Sequence, residues 1–192
     1  MRKLTRILLP ILGCSLLGHL APAQEATPWL VPPATKLESF DTNHSSVIIK
    51  ATTEVGSLSV NTGGVSVRCR EITATSSGQK EQGIAIAITQ KGQVRDTLLI
   101  DYDEISSLLN ALDYLNKLDL SVTPLNAFDA AYTTKGGFRV AALGSRRTGT
   151  IQYAVRDART NMTPIIFSLQ EMFRLRGFVD QARANLDSLR GG

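Results

Sequence analysis

The chain has 192 residues, of which 43% are hydrophobic and 20% are charged. This is ordinary globular composition, and the length fits one compact domain or two fused halves that share a core. The formal net charge is +4, but three of the positive charges belong to Arg2, Lys3 and Arg6. Without these three residues the chain holds 18 basic and 17 acidic side chains, which excludes a strongly basic mature protein.

The first 23 residues have the pattern of a secretory signal peptide. The basic start is followed by the mostly apolar run 7–20 and by Ala21-Pro22-Ala23, which fits the small-x-small cleavage rule. We expect cleavage near Ala23 and export to the periplasm or out of the cell. No transmembrane segment is expected in the mature chain, and the leader's apolar run is too short to span a bilayer. In the alternative, Cys14 would carry a lipid as in bacterial lipoproteins, but the apolar residues beyond Cys14 argue against this.

An α+β fold is predicted for the rest of the chain. Residues 24–45 contain three prolines and are predicted to form an extended tether. Residues 46–192 are predicted to form a single α+β domain, because strand patterns separated by turn signals precede each helical pattern. The domain divides into the pseudo-repeats 46–120 and 121–190, each with about four antiparallel strands followed by one amphipathic helix.

The repeat consists of a strand–helix unit that recurs with a constant offset of 67 residues. In the first copy a short apolar strand, Leu98-Leu99-Ile100, leads into a helix with an apolar residue at every third or fourth position. In the second copy Ile165-Ile166-Phe167 takes the place of the strand. Equivalent apolar positions of the two helices are Ile105 and Met172, Leu108 and Leu175, Leu112 and Val179, and Leu115 and Ala182. This regularity favours a tandem duplication.

Cysteine and histidine are nearly absent from the predicted mature chain, which would keep only Cys69 and His44. An internal disulfide or a His/Cys metal site cannot be assembled from them, and no nucleophile-elbow motif accompanies His44. We therefore expect no cofactor, no metal and no catalytic residue. Alternation along residues 65–70 predicts that Cys69 lies on the inward face of a strand as a buried, inert thiol, with His44 at the surface.

A cluster of basic residues marks the second half. The segments 138–143 and 150–157 are predicted to form a hairpin with Arg146 and Arg147 at its tip. In the predicted register Arg139 and Arg156 are diagonal neighbours on the outward face, and they repel each other unless an anion or a carboxylate lies between them. Candidate binding residues for an anionic ligand or polymer are therefore Lys135, Arg139, Arg146, Arg147, Arg156 and Arg159. The alternative is a solvated face balanced by acidic residues of the first half.

Acidic residues cluster where the first helix begins. Asp101, Asp103 and Glu104 would suit a hydrolase of cell-wall or polysaccharide material. Acids are also expected at a helix start for electrostatic reasons alone, and Asp101 with Glu104 forms a capping-box-like pair. In the second copy Ser168 and Glu171 form a better capping box. A hydrolase is therefore an alternative function, and helix capping is the simpler interpretation.

The uneven distribution of charge allows a further alternative, self-association into an assembly. Residues 24–120 hold 8 basic and 12 acidic side chains, whereas residues 121–192 hold 10 and 5. The acidic first half of one copy could meet the basic second half of another.

Two stretches, KGGFRVAALGSRRTG and IDYDEISSLLNALDYL, are similar, together with the leader, to an uncharacterised family of short exported bacterial proteins. This resemblance implies export but no activity. The repeated order of four strands and a helix also resembles the topology of the Whirly single-stranded-DNA-binding fold. Because an exported protein seldom meets DNA, we do not expect nucleic acid as the partner. The leading hypothesis is an exported, soluble, non-enzymatic binding or structural protein whose partner is an anionic ligand or polymer, or the chain itself.

Overall fold

The structure is a computed structural model that describes residues 32–42 and 46–191. The elements in chain order are α1 (Lys36–Asp41), β1 (Ile48–Val60), β2 (Gly63–Ala74), β3 (Lys80–Gln90), β4 (Gln93–Asp101), a short 3-10 helix (Tyr102–Glu104), α2 (Ile105–Asn116), β5 (Ala127–Thr133), β6 (Phe138–Ser145), β7 (Thr150–Asp157), β8 (Ile165–Phe167) and α3 (Leu169–Arg190). The predicted signal peptide, the first part of the predicted tether and His44 lie outside the described residues.

The strands form two four-stranded antiparallel sheets. The first sheet has the order β1-β2-β3-β4 and the second β5-β6-β7-β8, so every strand pairs with its neighbour in sequence. The tight turn between β3 and β4 is Lys91-Gly92, where both residues have positive φ (52° and 75°), as a two-residue type I′ turn requires. The predicted α+β class, with four antiparallel strands and then a helix in each half, is confirmed.

The first strand is longer than its sequence pattern suggests. In the sequence, residues 47–54 and 58–60 each have a strand pattern and are separated by residues 55–57, whereas β1 runs unbroken from Ile48 to Val60. A register shift between Glu54 and Gly56 interrupts the alternation, and such a bulge hides the strand's continuity from a period-two pattern. Gly56 lies under the ring of Phe178 on α3, where a Cβ atom would come within 2.5 Å of the ring.

Each long helix packs chiefly on the sheet of the other half. Helix α2 lies against β5 and β6, whereas α3 lies against β1, β2 and β3. The thiol of Cys69 on β2 donates to the carbonyl oxygen of Ala182 on α3 at 3.5 Å. Arg176 of α3 forms an ion pair with Asp113 of α2, with 3.0 Å between Nε and Oδ1. One hydrophobic core therefore extends through both halves.

The offset of 67 residues appears in the structure at the strand–helix units. All eight helix residues predicted to be equivalent are buried. The pairing register differs between the copies, however: Ile86 pairs with Leu98, whereas Tyr153 pairs with Phe167 rather than with Ile165. Because side chains alternate with a period of two, this two-residue shift leaves the same residues facing the core.

The helix start of the second copy follows the sequence prediction. Ser168 Oγ accepts a hydrogen bond from the N–H of Glu171, and Glu171 Oε2 accepts one from the N–H of Ser168 at 2.6 Å. The predicted capping box is therefore confirmed at the beginning of α3.

The extended tether predicted over residues 24–45 is wrong for Lys36–Asp41, which form α1. Thr35 caps this helix by accepting the N–H of Glu38 at 3.0 Å, and Leu37 is fully buried. The prolines that favoured an extended chain end before residue 34, and six residues are too few to display a helical period.

Candidate functional site

Strands β6 and β7 bring Arg139 and Arg156 together on the outer face of the second sheet. The two residues are directly opposite each other, so their Cβ atoms are roughly 4.5–5.5 Å apart. The predicted diagonal arrangement is wrong, because the tip is centred one residue further along, between Arg147 and Thr148. The opposite face of the hairpin is apolar: Phe138, Val140, Ala142, Tyr153 and Val155 are buried, and Ile151 is half-buried.

One carboxylate lies beside this arginine pair in the described part of the chain. Arg139 Nη2 donates to Asp129 Oδ2 of β5 at 3.3 Å. Within residues 32–42 and 46–191, the guanidinium of Arg156 has no hydrogen bond or ion pair. The two arginines and Asp129 therefore leave one positive charge without a counter-charge on this face.

A shallow cavity of about 140 Å³ lies on the same face. Its floor is formed by Ala141 and Ala154, which pair directly and are 4% and 7% exposed. The other lining residues are Asp129, Arg139, Leu143, Arg156 and Pro164. Guanidinium groups offer paired N–H donors that match a carboxylate or a phosphate, so this cavity is suited to an anionic group with some apolar character beside it.

Arg146 and Arg147, the predicted tip residues, lie at the other end of the hairpin. At about 3.3 Å per strand residue, Arg146 is roughly 23 Å along β6 from Arg139. Arg146 Nη2 donates to the carbonyl oxygen of Thr123 at 2.6 Å, and Arg147 is exposed. The structure therefore does not bring these two arginines into the cavity.

Lys135 and Arg159 lie at the same end of the hairpin as the arginine pair. Arg159 is engaged: its Nη1 donates to Glu38 Oε1 at 2.8 Å, and its Nε donates to the buried Asp157 Oδ1 at 3.4 Å. Burial lowers the pKa of Arg159, but the hydrogen bond to Glu38 and the charge of Asp157 outweigh it, and the net shift is upward. Arg159 is thus part of a structural network, while the side chain of Lys135 is exposed.

The carboxylates considered for hydrolysis are held by distant backbone amides. Asp101 accepts the N–H groups of Lys36 and Leu37 at 2.9 and 3.1 Å. Glu104 is buried and accepts the N–H of Lys135 at 2.8 Å. The capping of α2 predicted from Asp101 and Glu104 is therefore wrong, because neither side chain makes a cap hydrogen bond there.

The remaining carboxylate, Asp103, borders a polar cleft of about 430 Å³. Asp103 Oδ2 accepts from Lys36 Nζ at 3.1 Å, and this hydrogen bond lowers the pKa of the Asp103 carboxyl group. On the same cleft the hydroxyl of Tyr102 donates to Asp187, and the guanidinium of Arg190 lies 4.0 Å from the Tyr102 ring centroid. Most charged groups of this cleft are therefore already paired.

Cys69 is 5% exposed and faces α3, so the predicted inward position is confirmed. Burial raises the pKa of its thiol. Over residues 32–42 and 46–191, no group of three or more His, Cys, Asp or Glu side chains is arranged to hold a metal ion. None of the helices in those ranges has both the length and the apolar character needed to cross a bilayer.

Asp129 and the alanine floor were not found from the sequence. The alternating exposure of β5 does place Asp129 on the outward face, and this pattern is visible in AFDAAYT. Its approach to Arg139 depends on the register between β5 and β6, which the sequence does not determine.

Comparisons with known proteins give no match: no protein-family model, no curated protein sequence and no solved structure is similar to this chain.

Proposed function

We propose that the chain is an exported, non-enzymatic binding protein that holds an anionic partner on the outer face of its second sheet. The observation that carries this proposal is the direct pairing of Arg139 with Arg156 beside the carboxylate of Asp129. Like charges directly opposite each other destabilise an antiparallel pair by up to about 1 kcal/mol. A bound carboxylate or phosphate removes this repulsion and accepts charge-assisted hydrogen bonds from both guanidinium groups.

The leader sequence supports the exported location. Arg2, Lys3 and Arg6, the apolar run after them and Ala21-Pro22-Ala23 together form a secretory signal pattern. The partner would accordingly be met in the periplasm or outside the cell.

A hydrolytic function has less support, because its candidate carboxylates are engaged elsewhere. Asp101 and Glu104 accept backbone N–H groups, and Asp103 is paired with Lys36. A general acid and a nucleophile need freedom to exchange protons or to attack a substrate.

Charge reversal at the arginine pair tests the proposal. The double variant Arg139→Glu/Arg156→Glu is passed over a heparin column at pH 7 and low salt, next to the unchanged protein. We expect retention of the unchanged protein and its loss in the variant, because the variant presents two carboxylates in place of two guanidinium groups, a net charge change of −4. Circular dichroism verifies that the variant is folded.

The matched control is Arg95→Glu/Arg174→Glu, which changes the net charge equally at two exposed arginines on other elements. This control is expected to remain on the column. Equal loss of retention in both double variants would mean that overall charge, and not this site, determines binding. Retention of the Arg139→Glu/Arg156→Glu variant would also overturn the proposal.

A further inference from the structure

Helix α1 covers part of the outer face of the first sheet. Leu37 is fully buried there against three outward-facing residues, Ile72, Ala85 and Leu99. Gly83 makes room for this contact, since a Cβ atom at that position would approach Leu37 Cδ1 to 2.7 Å. The first sheet therefore has apolar residues on both faces, with the core on one side and α1 on the other.

The second sheet has the corresponding apolar row without a covering helix in the described residues. The offset of 67 residues relates Leu99 of the first sheet to Ile166 of the second. Leu99 pairs with Ala85 on β3, and Ile166 pairs with Ala154 on β7. Ala154 pairs in turn with Ala141. Strand residues and Pro164 alone line the cavity at this place, and Ile166 is only half-buried.

The charges around the two rows differ in a way that indicates what the second row binds. Next to the buried Leu37, helix α1 carries two carboxylates, and these form ion pairs with Arg159 and Lys50. Around the second row the charged groups that line the cavity are Arg139, Arg156 and Asp129, and Asp129 forms its ion pair with Arg139. An apolar row beside excess positive charge is complementary to a segment that has an apolar side chain flanked by acids.

We propose that this face docks a short, acidic, amphipathic segment of a partner protein, in the way that the first sheet holds α1. An apolar side chain of the segment lies over Ala141, Ala154 and Ile166, and its carboxylates bind Arg139 and Arg156. The proposal rests on the proposed function, since it uses the same two arginines. It goes further in naming the partner as a peptide segment, because a phosphate or a polysaccharide would leave the half-buried side chains of Leu143 and Ile166 in contact with water.

Two synthetic peptides test this inference. The first has the sequence of residues 34–42 with glutamate in place of Lys36, and the second carries serine at the positions of Leu37 and Phe40 as well, so that both have the same charge. Binding to the full chain is measured by isothermal titration calorimetry at low salt. We expect the first peptide to bind at least ~10-fold more tightly, because only it buries apolar side chains.

Two further variants assign this difference to the apolar row. Ile166→Ser and Leu143→Ser each replace a half-buried outward side chain, so at least one is expected to fold. A folded variant should keep its retention on heparin and lose the preference for the apolar peptide. Preservation of the preference in a folded variant would overturn the inference.

The possible failures are distinguishable. If both peptides bind equally and Arg139→Glu/Arg156→Glu abolishes heparin retention, the proposed function stands and the peptide inference is wrong. If neither peptide binds and heparin retention does not depend on the arginine pair, the proposed function fails as well. If light scattering shows a dimer that Ile166→Ser dissociates, the occupant is a second copy of the chain and the inference of a different partner is overturned.

Discussion

The carboxylate of Asp101 accepts a hydrogen bond from the backbone N–H of Leu37, which lies 64 residues earlier in the chain. The other carboxylate oxygen accepts the N–H of Lys36. Asp101 therefore satisfies two N–H groups at the start of α1 that have no partner within that helix. This contact joins α1 to the end of β4 and fixes the helix on the outer face of the first sheet.

Loss of this contact is expected to destabilise the protein. Asp101→Asn replaces one carboxylate oxygen by an amide that cannot accept a hydrogen bond, at a site that is 3% exposed. We expect the free energy of unfolding to fall by about 1–3 kcal/mol, measured by urea denaturation at pH 7. Asp103→Asn is the control, because its ion pair with Lys36 is largely exposed and is expected to contribute less than about 1 kcal/mol. Equal losses in the two variants would contradict this role of Asp101.

Substitution of glycine by alanine is expected to have opposite effects on stability at Gly136 and Gly177. A Cβ atom at Gly136 would overlap the backbone carbonyl oxygen of Leu99, which cannot rotate away, so Gly136→Ala is expected to destabilise by about 1–3 kcal/mol. Gly177 lies within α3, and a Cβ atom at this position would point into open space. Gly177→Ala is therefore expected to stabilise by roughly 0.5–1 kcal/mol. Thermal denaturation of both variants measures the two shifts, and shifts of the same sign would be inconsistent with this packing.

The parts of the fold that sequence could predict are those determined by local periodicity. The helical stripe through Leu108 and Leu112 repeats every three to four residues, and both residues are fully buried in α2. The capping box at Ser168 likewise depends on residues within one turn. These features need no knowledge of the distant chain.

The parts that sequence could not predict depend on register or on contacts between distant segments. Whether Arg156 lies opposite or diagonal to Arg139 changes when the tip is centred one residue further along. The acceptor role of Asp101 toward α1 depends on a tertiary contact, and a helix of six residues gives too weak a period to be recognised. Arg139 and Arg156 were therefore identified by charge alone, while the geometry of the site was not.

Because Cys69 is buried, we expect its thiol to react slowly. Its side chain is 5% exposed, donates to Ala182, and has a pKa raised by burial, so little thiolate is present or accessible at neutral pH. In a Cys14→Ser variant, where Cys69 is the sole cysteine, we expect the reaction with a disulfide reagent to be at least ~100-fold slower in the native protein than in urea. Comparable rates would show that the strand–helix contact opens readily.

The raised pKa of the Cys69 thiol also makes its contribution to the free energy of unfolding depend on pH. This contribution is complete below the unfolded-state pKa of about 8.5 and is lost as the pH rises above it.

The carboxyl groups of Asp96 on β4 and Asp157 on β7, which belong to different sheets, each affect the pKa of the other. Asp157 is fully buried, and its Oδ1 accepts the backbone N–H of Arg159 at 2.8 Å. Burial raises the pKa of Asp96, and the neighbouring Asp157 raises it further. Burial also acts to raise the pKa of Asp157, but the neighbouring Asp96 carboxyl group and the hydrogen bonds and charge of Arg159 outweigh it, and the net shift is downward. Of the two carboxyl groups, Asp96 is therefore the one that binds a proton more readily.

The raised pKa of Asp96 gives a pH-dependent prediction. A carboxyl group with a raised folded-state pKa contributes stability that is complete below its unfolded pKa, about 3.9, and is lost as the pH rises through the folded value. Asp96→Asn imitates the protonated group, so we expect the variant to be more stable than the unchanged protein at pH 7 and the difference to shrink toward pH 4. Urea denaturation across this range measures both. A difference for Asp96→Asn that does not change with pH would exclude a raised pKa of the Asp96 carboxyl group.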